Sequence, residues 1–291
     1  MASHKPEGTS SYHARDLLNQ LAEKLALAGI SSPRLDANQI LQMALSRDET
    51  ILSHHEIILD TASQKRLDDL MAQRLAGCPV SRLRGYREFY SMNFFLNKDT
   101  LDPRPDSEVL VEKAIAAIQD KAFEIADFGT GSGCLLLATL AHCQNAKGIG
   151  LDISDTAIEQ ARKNAAHHRL EDRAQFLASD WDKALAGDRQ FDVILSNPPY
   201  IPEEDKAHLS PEVAIYDPSR ALFAGKTGLD AYQILLPIIA KRLKAGGASF
   251  MEIGKDQESD VISIASTVGL RCKNMVPDLS GIIRCLHFIH D

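Results

Sequence analysis

The chain has 291 residues, 44% hydrophobic and 25% charged, with a net charge of −8, the composition of a globular protein of one large or two modest domains. A membrane-spanning class is excluded, since no apolar run nears the ~18 residues that a span requires. The acidic balance weighs against a surface built to grip nucleic-acid backbone, although Arg82, Arg84 and Arg87 gather locally.

The opening M-A-S-H-K-P-E-G-T-S lacks an apolar signal core, so the expectation is a cytoplasmic protein that is not exported. Cys78, Cys134, Cys143, Cys272 and Cys285 form no C-x-x-C pair, which argues for free thiols and against a zinc cluster. His55-Glu56 begins like H-E-x-x-H, but Leu59 holds the fifth position, and no metal site is expected.

The first third has helical spacing. Leu17, Leu18, Leu21, Leu25 and Ala28 make one apolar face across 11–30, and Gly29 offers a stop. Ser32-Pro33 reads as an N-cap with proline at the first helical position, leading a stripe through Leu35, Ile40, Leu41, Ala44 and Leu45. A further helix over 61–77 carries Leu67, Leu70, Met71 and Leu75. These predict a small all-helical domain over 1–82. The texture changes at Gly77-Cys78-Pro79. Tyr86, Phe89, Tyr90, Phe94 and Phe95 predict a β-hairpin within 86–101, in a linker over 83–104. In D-P-R-P-D-S-E at 102–108, Asp106 or Ser107 can cap a helix through Val109, Leu110, Ala114, Ile115 and Ile118.

From about residue 122, strand and helix alternate. Strands read at 123–128, 147–152, 174–178, 191–196 and 247–253, with a last one at 282–290; helices read at 133–143, 154–168 and 229–244. This alternation predicts an α/β domain over 105–291, a Rossmann-like, mainly parallel sheet with helices on both faces.

The first strand of that domain runs into D-F-G-T-G-S-G-C, with Gly129, Gly131 and Gly133 separated by Thr130 and Ser132 and followed by an apolar helix. Glycine lets the chain turn sharply and lets a ligand approach the backbone, and the helix start supplies free N–H groups. The spacing is neither the G-x-G-x-x-G of dinucleotide binders nor a P-loop. Gly225-Lys226-Thr227 imitates the end of a Walker A motif, but Arg220 stands where its first glycine belongs. The second strand ends at Asp152, which can accept hydrogen bonds from both ribose hydroxyls of an adenosine ligand. After the third strand, Asp180 can accept from an adenine amino group and Trp181 can pack on its ring. S-adenosylmethionine explains this set better than NAD, because the glycine spacing suits a ligand without a pyrophosphate.

The fourth strand, F-D-V-I-L-S, ends in N-P-P-Y-I-P. Prolines that dense stop a strand, but they leave Asn197 and Tyr200 unexplained. In a parallel sheet this end shares a rim with the glycines and Asp152. Methylating a planar nitrogen requires aligning it and polarising its N–H bonds, since its lone pair is delocalised. The Asn197 side-chain carbonyl and the Pro198 backbone carbonyl supply two acceptors for one NH₂ group. Pro198 and Pro199 stiffen the loop, and Tyr200 offers an apolar face to a planar group. An amide and a nucleobase amino group both satisfy this site.

D-F-G-T-G-S-G at 127–133, L-D-I-S at 151–154, S-D-W at 179–181 and N-P-P-Y-I at 197–201 resemble the class I S-adenosylmethionine-dependent amino-methyltransferases. Among them the chain is similar to the HemK/PrmC family of peptide chain release factor glutamine methyltransferases. R-L-D-A at 34–37 and R-L-A-G-C-P-V at 74–80 resemble the family's helical N-terminal domain, and G-Y-R-E-F-Y at 85–90 its linker. P-R-P-D-S-E at 103–108 resembles P-R-P-[ED]-T-E, with Ser107 for the usual Thr. Y-D-P-S-R-A-L-F-A-G at 216–225, M-E-I-G at 251–254 and D-L-S-G-I-I-R at 278–284 resemble its C-terminal half. Phe128 replaces a commoner Leu, and Ile282-Ile283 precede Arg284 where a charge is usual.

The resemblance implies methyl transfer to the side-chain amide of the Gln in the Gly-Gly-Gln loop of release factors. Gly129, Gly131, Gly133, Asp152, Trp181 and Asn197 would hold the cofactor, and Asn197 to Tyr200 the Gln. It implies a protein partner read by the helical domain, no direct nucleic-acid substrate, no membrane and a monomer. The alternatives are a ribosomal-protein glutamine methyltransferase, an adenine or guanine amino-methyltransferase of nucleic acid, and a non-enzymatic S-adenosylmethionine-binding adaptor.

Overall fold

The computed structural model describes residues 9–119 and 121–290, so most of the polar opening read above lies outside the described residues. The chain divides into two compact units, Met1–Gly85 and Tyr86–Asp291.

In the first unit, β1 (Ser10–His13) leads into α1 (Ala14–Leu27) and α2 (Pro33–Leu45); β2 (Glu56–Leu59), α3 (Thr61–Leu75) and α4 (Val80–Arg84) follow. The helices bury Leu17, Leu21, Leu25, Ile40, Leu41, Leu67 and Met71 in one core, as the spacing predicts. Asp60 caps α3, its Oδ1 accepting the Ser63 N–H at 2.7 Å. R-L-D-A and R-L-A-G-C-P-V meet in a buried ion pair, Arg74 Nε to Asp36 Oδ2 at 2.7 Å. The helical unit also contains an antiparallel ribbon, Ser10 opposite Leu59 through His13 opposite Glu56. Four residues pairing with a segment more than forty positions away leave no local pattern, and 11–13 read instead as the start of the helix.

The second unit opens with the hairpin β3 (Tyr86–Phe89) and β4 (Met92–Phe95), tighter than the 86–101 span predicted. Tyr90 and Ser91 both adopt positive φ, a primed two-residue turn, and the Tyr90 N–H is held by Glu108 Oε1 at 2.8 Å. Then come α5 (Glu108–Ile118), β5 (Glu124–Phe128), α6 (Cys134–His142), β6 (Lys147–Asp152), α7 (Asp155–His167), β7 (Ala174–Ala178) and β8 (Phe191–Ser196). The short α8 (Pro211–Tyr216) precedes α9 (Asp230–Arg242), β9 (Leu243–Glu252), α10 (Glu258–Thr267), β10 (Leu270–Pro277) and β11 (Ile283–His290).

The seven-stranded sheet has the order β10-β11-β9-β8-β5-β6-β7. β9, β8, β5, β6 and β7 are parallel; β11 runs antiparallel between β9 and β10, so that β10 again points the same way as β9. One face packs on α5, α6 and α7 through Leu110, Leu136 and Ile158, the other on α9 and α10 through Leu236, Ile239 and Val261. The β-rich alternation called for such a sheet. β10 and α10 lie outside the elements expected from the sequence: β10 is an edge strand with only Leu270 buried, and α10 buries only Val261 and Ala265. α10 does carry a helical stripe in Val261, Ile264, Ala265 and Val268, whereas β10, with one buried residue, lacks the alternation that marks a strand.

Candidate active site

The parallel strands bring the C-terminal ends of β5, β6, β7, β8 and β9 to one rim. Strand order reverses between β5 and β8, which opens a crevice there. A cavity of about 260 Å³ fills it, lined among others by Gly129, Gly131, Asp152, Asp180, Trp181, Asn197 and Pro199.

The glycine turn is built for close approach. Gly129 and Gly131 take φ of 74° and 55°, and a Cβ on Gly131 would meet no protein atom within 4 Å, so the space beside it is open to a ligand. Asp152 braces the turn: Oδ2 accepts the Gly131 N–H and Oδ1 the Ser154 N–H, each at 2.9 Å. Each oxygen keeps a second lone pair for a ribose hydroxyl. Burial pushes the Asp152 carboxyl up, and hydrogen bonds from Ser154 and Gly131 and the Arg220 cation oppose the shift. Trp181 lines the cavity with φ 51°, a left-handed conformation costing roughly 1–2 kcal/mol for such a residue. Asp180 lines it too, though its Oδ2 is paired with Lys183 Nζ at 2.5 Å.

Thr130, Ser132 and Gly133 stand behind the lining. Thr130 Oγ1 donates to Asp127 Oδ2 at 2.6 Å, and burial holds the Asp127 carboxyl up at about 7. The Ser132 carbonyl accepts from Asn164 Nδ2 at 2.8 Å. A Cβ on Gly133 would press on Leu137, Ala161 and Phe176 at 3.2–3.3 Å, so this glycine serves helix packing. Asp99, Leu101, Ile153, Ser179, Arg220 and Ala221 also line the cavity and were not singled out in the sequence. Arg220 and Ala221 lie in Y-D-P-S-R-A-L-F, Ile153 in L-D-I-S and Ser179 in S-D-W, while Asp99 and Leu101 come from a loop segment without a pattern.

A second cavity of about 190 Å³ adjoins the first, lined by Arg104, Tyr200, Ile201, Leu209 and Val213 among others. Asn197, Leu101 and Ala221 line both cavities. The N-P-P-Y loop is pinned on each side. Ile201 N–H donates to the Leu222 carbonyl at 2.9 Å, and Gln257 Nε2 donates to the Tyr200 carbonyl at 3.0 Å. Gly225 is part of this support, its carbonyl accepting the Glu203 N–H at 2.9 Å, and Gly225-Lys226 is a loop beyond the crevice.

Gly228 holds the loop's other flank. Its φ is 74°, and a Cβ there would sit 2.3 Å from the Tyr200 carbonyl oxygen. Gly228→Ala is therefore expected to displace Tyr200 and to cost about 2 kcal/mol or more, seen as an unfolding midpoint several degrees lower together with reduced turnover.

A buried polar network lies beneath Asn197. Ser107 occupies the N-cap position of α5, yet its hydroxyl makes no capping bond. It donates instead to Glu252 Oε2 at 2.5 Å and accepts from Asn197 Nδ2 at 3.1 Å. The Tyr200 hydroxyl reaches Glu252 Oε1 at 3.3 Å. Glu252 is 1% exposed; burial pushes its carboxyl up to about 7, with the Ser107 and Tyr200 hydrogen bonds and Arg284 opposing. D-L-S-G-I-I-R folds as a turn in which Asp278 accepts from Ser280, Ile282 and Arg284, leaving Arg284 Nη2 3.8 Å from Asp106 Oδ2. P-R-P and Y-D-P are joined by the Arg104–Asp217 ion pair.

The crevice, glycine turn and sheet order are those of a class I S-adenosylmethionine-dependent methyltransferase. The Methyltransferase small domain family matches residues 94–222, and the PrmC N-terminal domain family matches 16–85. The hMettl16 catalytic domain shares the fold with TM-score 0.55 at 16% identity, over 76% of this chain and 82% of that one. A T. thermophilus 16S rRNA methyltransferase, RsmC, does so with TM-score 0.51 at 17% identity, over 71% and 50%.

Whole-chain relatives are more specific. The release factor glutamine methyltransferase of Rhodospirillum rubrum is 43% identical over 93% of this chain and 83% of its own. That of Bradyrhizobium diazoefficiens is 40% identical over 91% of each, and that of Agrobacterium fabrum 36% over 91% and 93%. The chain belongs to the release factor glutamine methyltransferase family.

Proposed function

We propose that the chain methylates the side-chain amide nitrogen of the Gln in the Gly-Gly-Gln loop of a peptide chain release factor. The observation that carries this reading is Asn197, which borders both the glycine-turn cavity and the adjoining one. A group held there faces the cofactor on one side and the substrate on the other.

S-adenosylmethionine supplies an electrophilic methyl group on a sulfonium sulfur. Gly129, Gly131, Asp152 and Trp181 hold it, with Asp152 taking the ribose hydroxyls. Thr130, Ser132 and Gly133 shape the turn, and Asp180 takes the adenine edge. Asn197 donates its own NH₂ to Ser107, which leaves Oδ1 as an acceptor for the substrate amide. With the Pro198 carbonyl it fixes both amide hydrogens and turns the nitrogen toward the methyl group. Pro199 and Tyr200 hold the loop and pack the planar amide. The helical segment 1–82 and the linker 83–104 recognise the release factor, and 105–291 performs the transfer.

The test offers labelled S-adenosylmethionine with release factor, ribosomal protein or RNA. Label is expected on the release factor and lost when its loop Gln becomes Ala. Label on ribosomal protein alone or on RNA alone overturns the reading.

A further inference from the structure

We infer that Glu252 is a positioning residue whose carboxylate, acting through the Ser107 hydroxyl, fixes which end of the Asn197 amide faces the substrate. This rests on the reading of Asn197 given above. The amide of an Asn side chain has two orientations of nearly equal shape, one presenting oxygen and one presenting NH₂. Only the first accepts from a substrate NH₂; the second sets donor against donor.

Two contacts select it. An ionised carboxylate has no hydrogen to give, so the short contact from Ser107 Oγ to Glu252 Oε2, 2.5 Å, commits the hydroxyl hydrogen to Glu252. Ser107 then offers Asn197 only lone pairs, and Nδ2 fills that place at 3.1 Å. Oδ1 is left facing away from Ser107. Protonating Glu252 removes the constraint: the carboxylic acid can donate to Ser107, which frees the serine hydrogen to hold Oδ1 and turn NH₂ outward.

The position supports a functional rather than a packing role. Burying a carboxylate is costly, and this one ends a parallel strand on the rim of the crevice, beside β8, with Met251 in register with Ser196. Ser107 is 3% exposed, and its helical backbone, φ −73° and ψ −13°, carries the 3₁₀ turn Pro105–Ser107 into α5, so its hydroxyl caps nothing and points its hydrogen at Glu252.

The groups facing Glu252 leave it as the titrating member. Burial pushes up the phenols of Tyr200 on the loop and Tyr232 on α9, and the thiols of Cys285 on β11 and Cys134 on α6, the last to about 12. Arg284 on β11 lowers the Glu252 carboxyl and Asp106 raises it. The ionised form is the productive one, so turnover should fall as pH falls through about 7. Asp127, also near 7, titrates in the same range but lies under the glycine turn.

The experiment measures kcat on release factor at saturating S-adenosylmethionine, from about pH 5.5 to 9, with cofactor affinity by calorimetry. Wild type should lose about tenfold per pH unit below its midpoint. Glu252→Gln should lack that acid limb, whereas Asp127 would leave it in place. Ser107→Ala should lower kcat about 10- to 100-fold and lack the limb, and Ser107→Thr should restore both. Cofactor affinity should stay within about threefold throughout.

An acid limb that survives in Glu252→Gln, or wild-type turnover in Ser107→Ala, overturns the inference. Should Glu252→Gln fail to fold, the Ser107 pair decides alone. Asn197→Ala separates the two readings. Wild-type turnover there refutes the role of Asn197 itself. An inactive Asn197→Ala beside unaffected Ser107 and Glu252 variants refutes only the relay.

Discussion

Asn197→Ala is expected to lower kcat by about 10²- to 10³-fold while S-adenosylmethionine affinity stays within about threefold. The split follows from where the side chain stands. Its NH₂ is bound to Ser107 and the residue borders both cavities, so on the present account truncation removes an acceptor from the reacting nitrogen. On the same account the cofactor keeps Asp152, Trp181 and the glycine turn. Truncation also leaves the Ser107 lone pair unfilled, and that defect is local. Single-turnover kinetics with calorimetry of cofactor binding checks the split; equal losses in both would make Asn197 chiefly a cofactor ligand.

Asp152→Ala should show the opposite pattern. Its carboxylate already orders the turn through the Gly131 and Ser154 N–H groups, and on the present account it also accepts from the ribose. Hydrogen bonds to a charged group contribute about 1.5–3 kcal/mol each, so losing two should weaken cofactor binding by about 10²-fold or more. kcat at saturating cofactor should fall far less. Asp152→Asn, which keeps one carbonyl acceptor, should lie between. Calorimetry decides, and an unchanged affinity for Asp152→Ala would remove the ribose from this strand end.

The two residues with the largest expected effects were legible because each sits where a strand stops. An apolar run that ends in Asp, or in Asn-Pro-Pro-Tyr, announces a break that chain geometry alone does not require. The parallel sheet was legible from strand–helix alternation, and it places those breaks on one rim. Glu252 carried a fainter signal, a carboxylate closing the apolar run A-S-F-M-E-I. What the sequence could not convey is its partner: Ser107 lies 145 residues away and reads as an ordinary helix cap. Residues such as Asp99 and Leu101 enter the crevice because a loop carries them there, and loop residues have no period.

Several motifs that resemblance alone had marked now have a physical task. Asp36 and Arg74 form a buried pair in the helical unit, and breaking such a pair by removing one partner costs about 3–5 kcal/mol. Arg104 and Asp217 fasten the segment before Ser107 to the loop beyond the crevice. Arg284 is aimed by the Asp278 turn toward Asp106, next to Ser107. The last two pairs lie on the segments that carry Ser107, the partner of Asn197, and Arg104 also lines the second cavity.

The central claim is that one glutamine amide of a release factor receives the methyl group. Site-resolved mass spectrometry of the release factor, after incubation with S-adenosylmethionine and the protein, tests it most directly. The account predicts a single added methyl on the side-chain nitrogen of the Gly-Gly-Gln glutamine, formed about 10²- to 10³-fold more slowly with Asn197→Ala. A release factor that stays unmodified while ribosomal protein or RNA gains the methyl would contradict it.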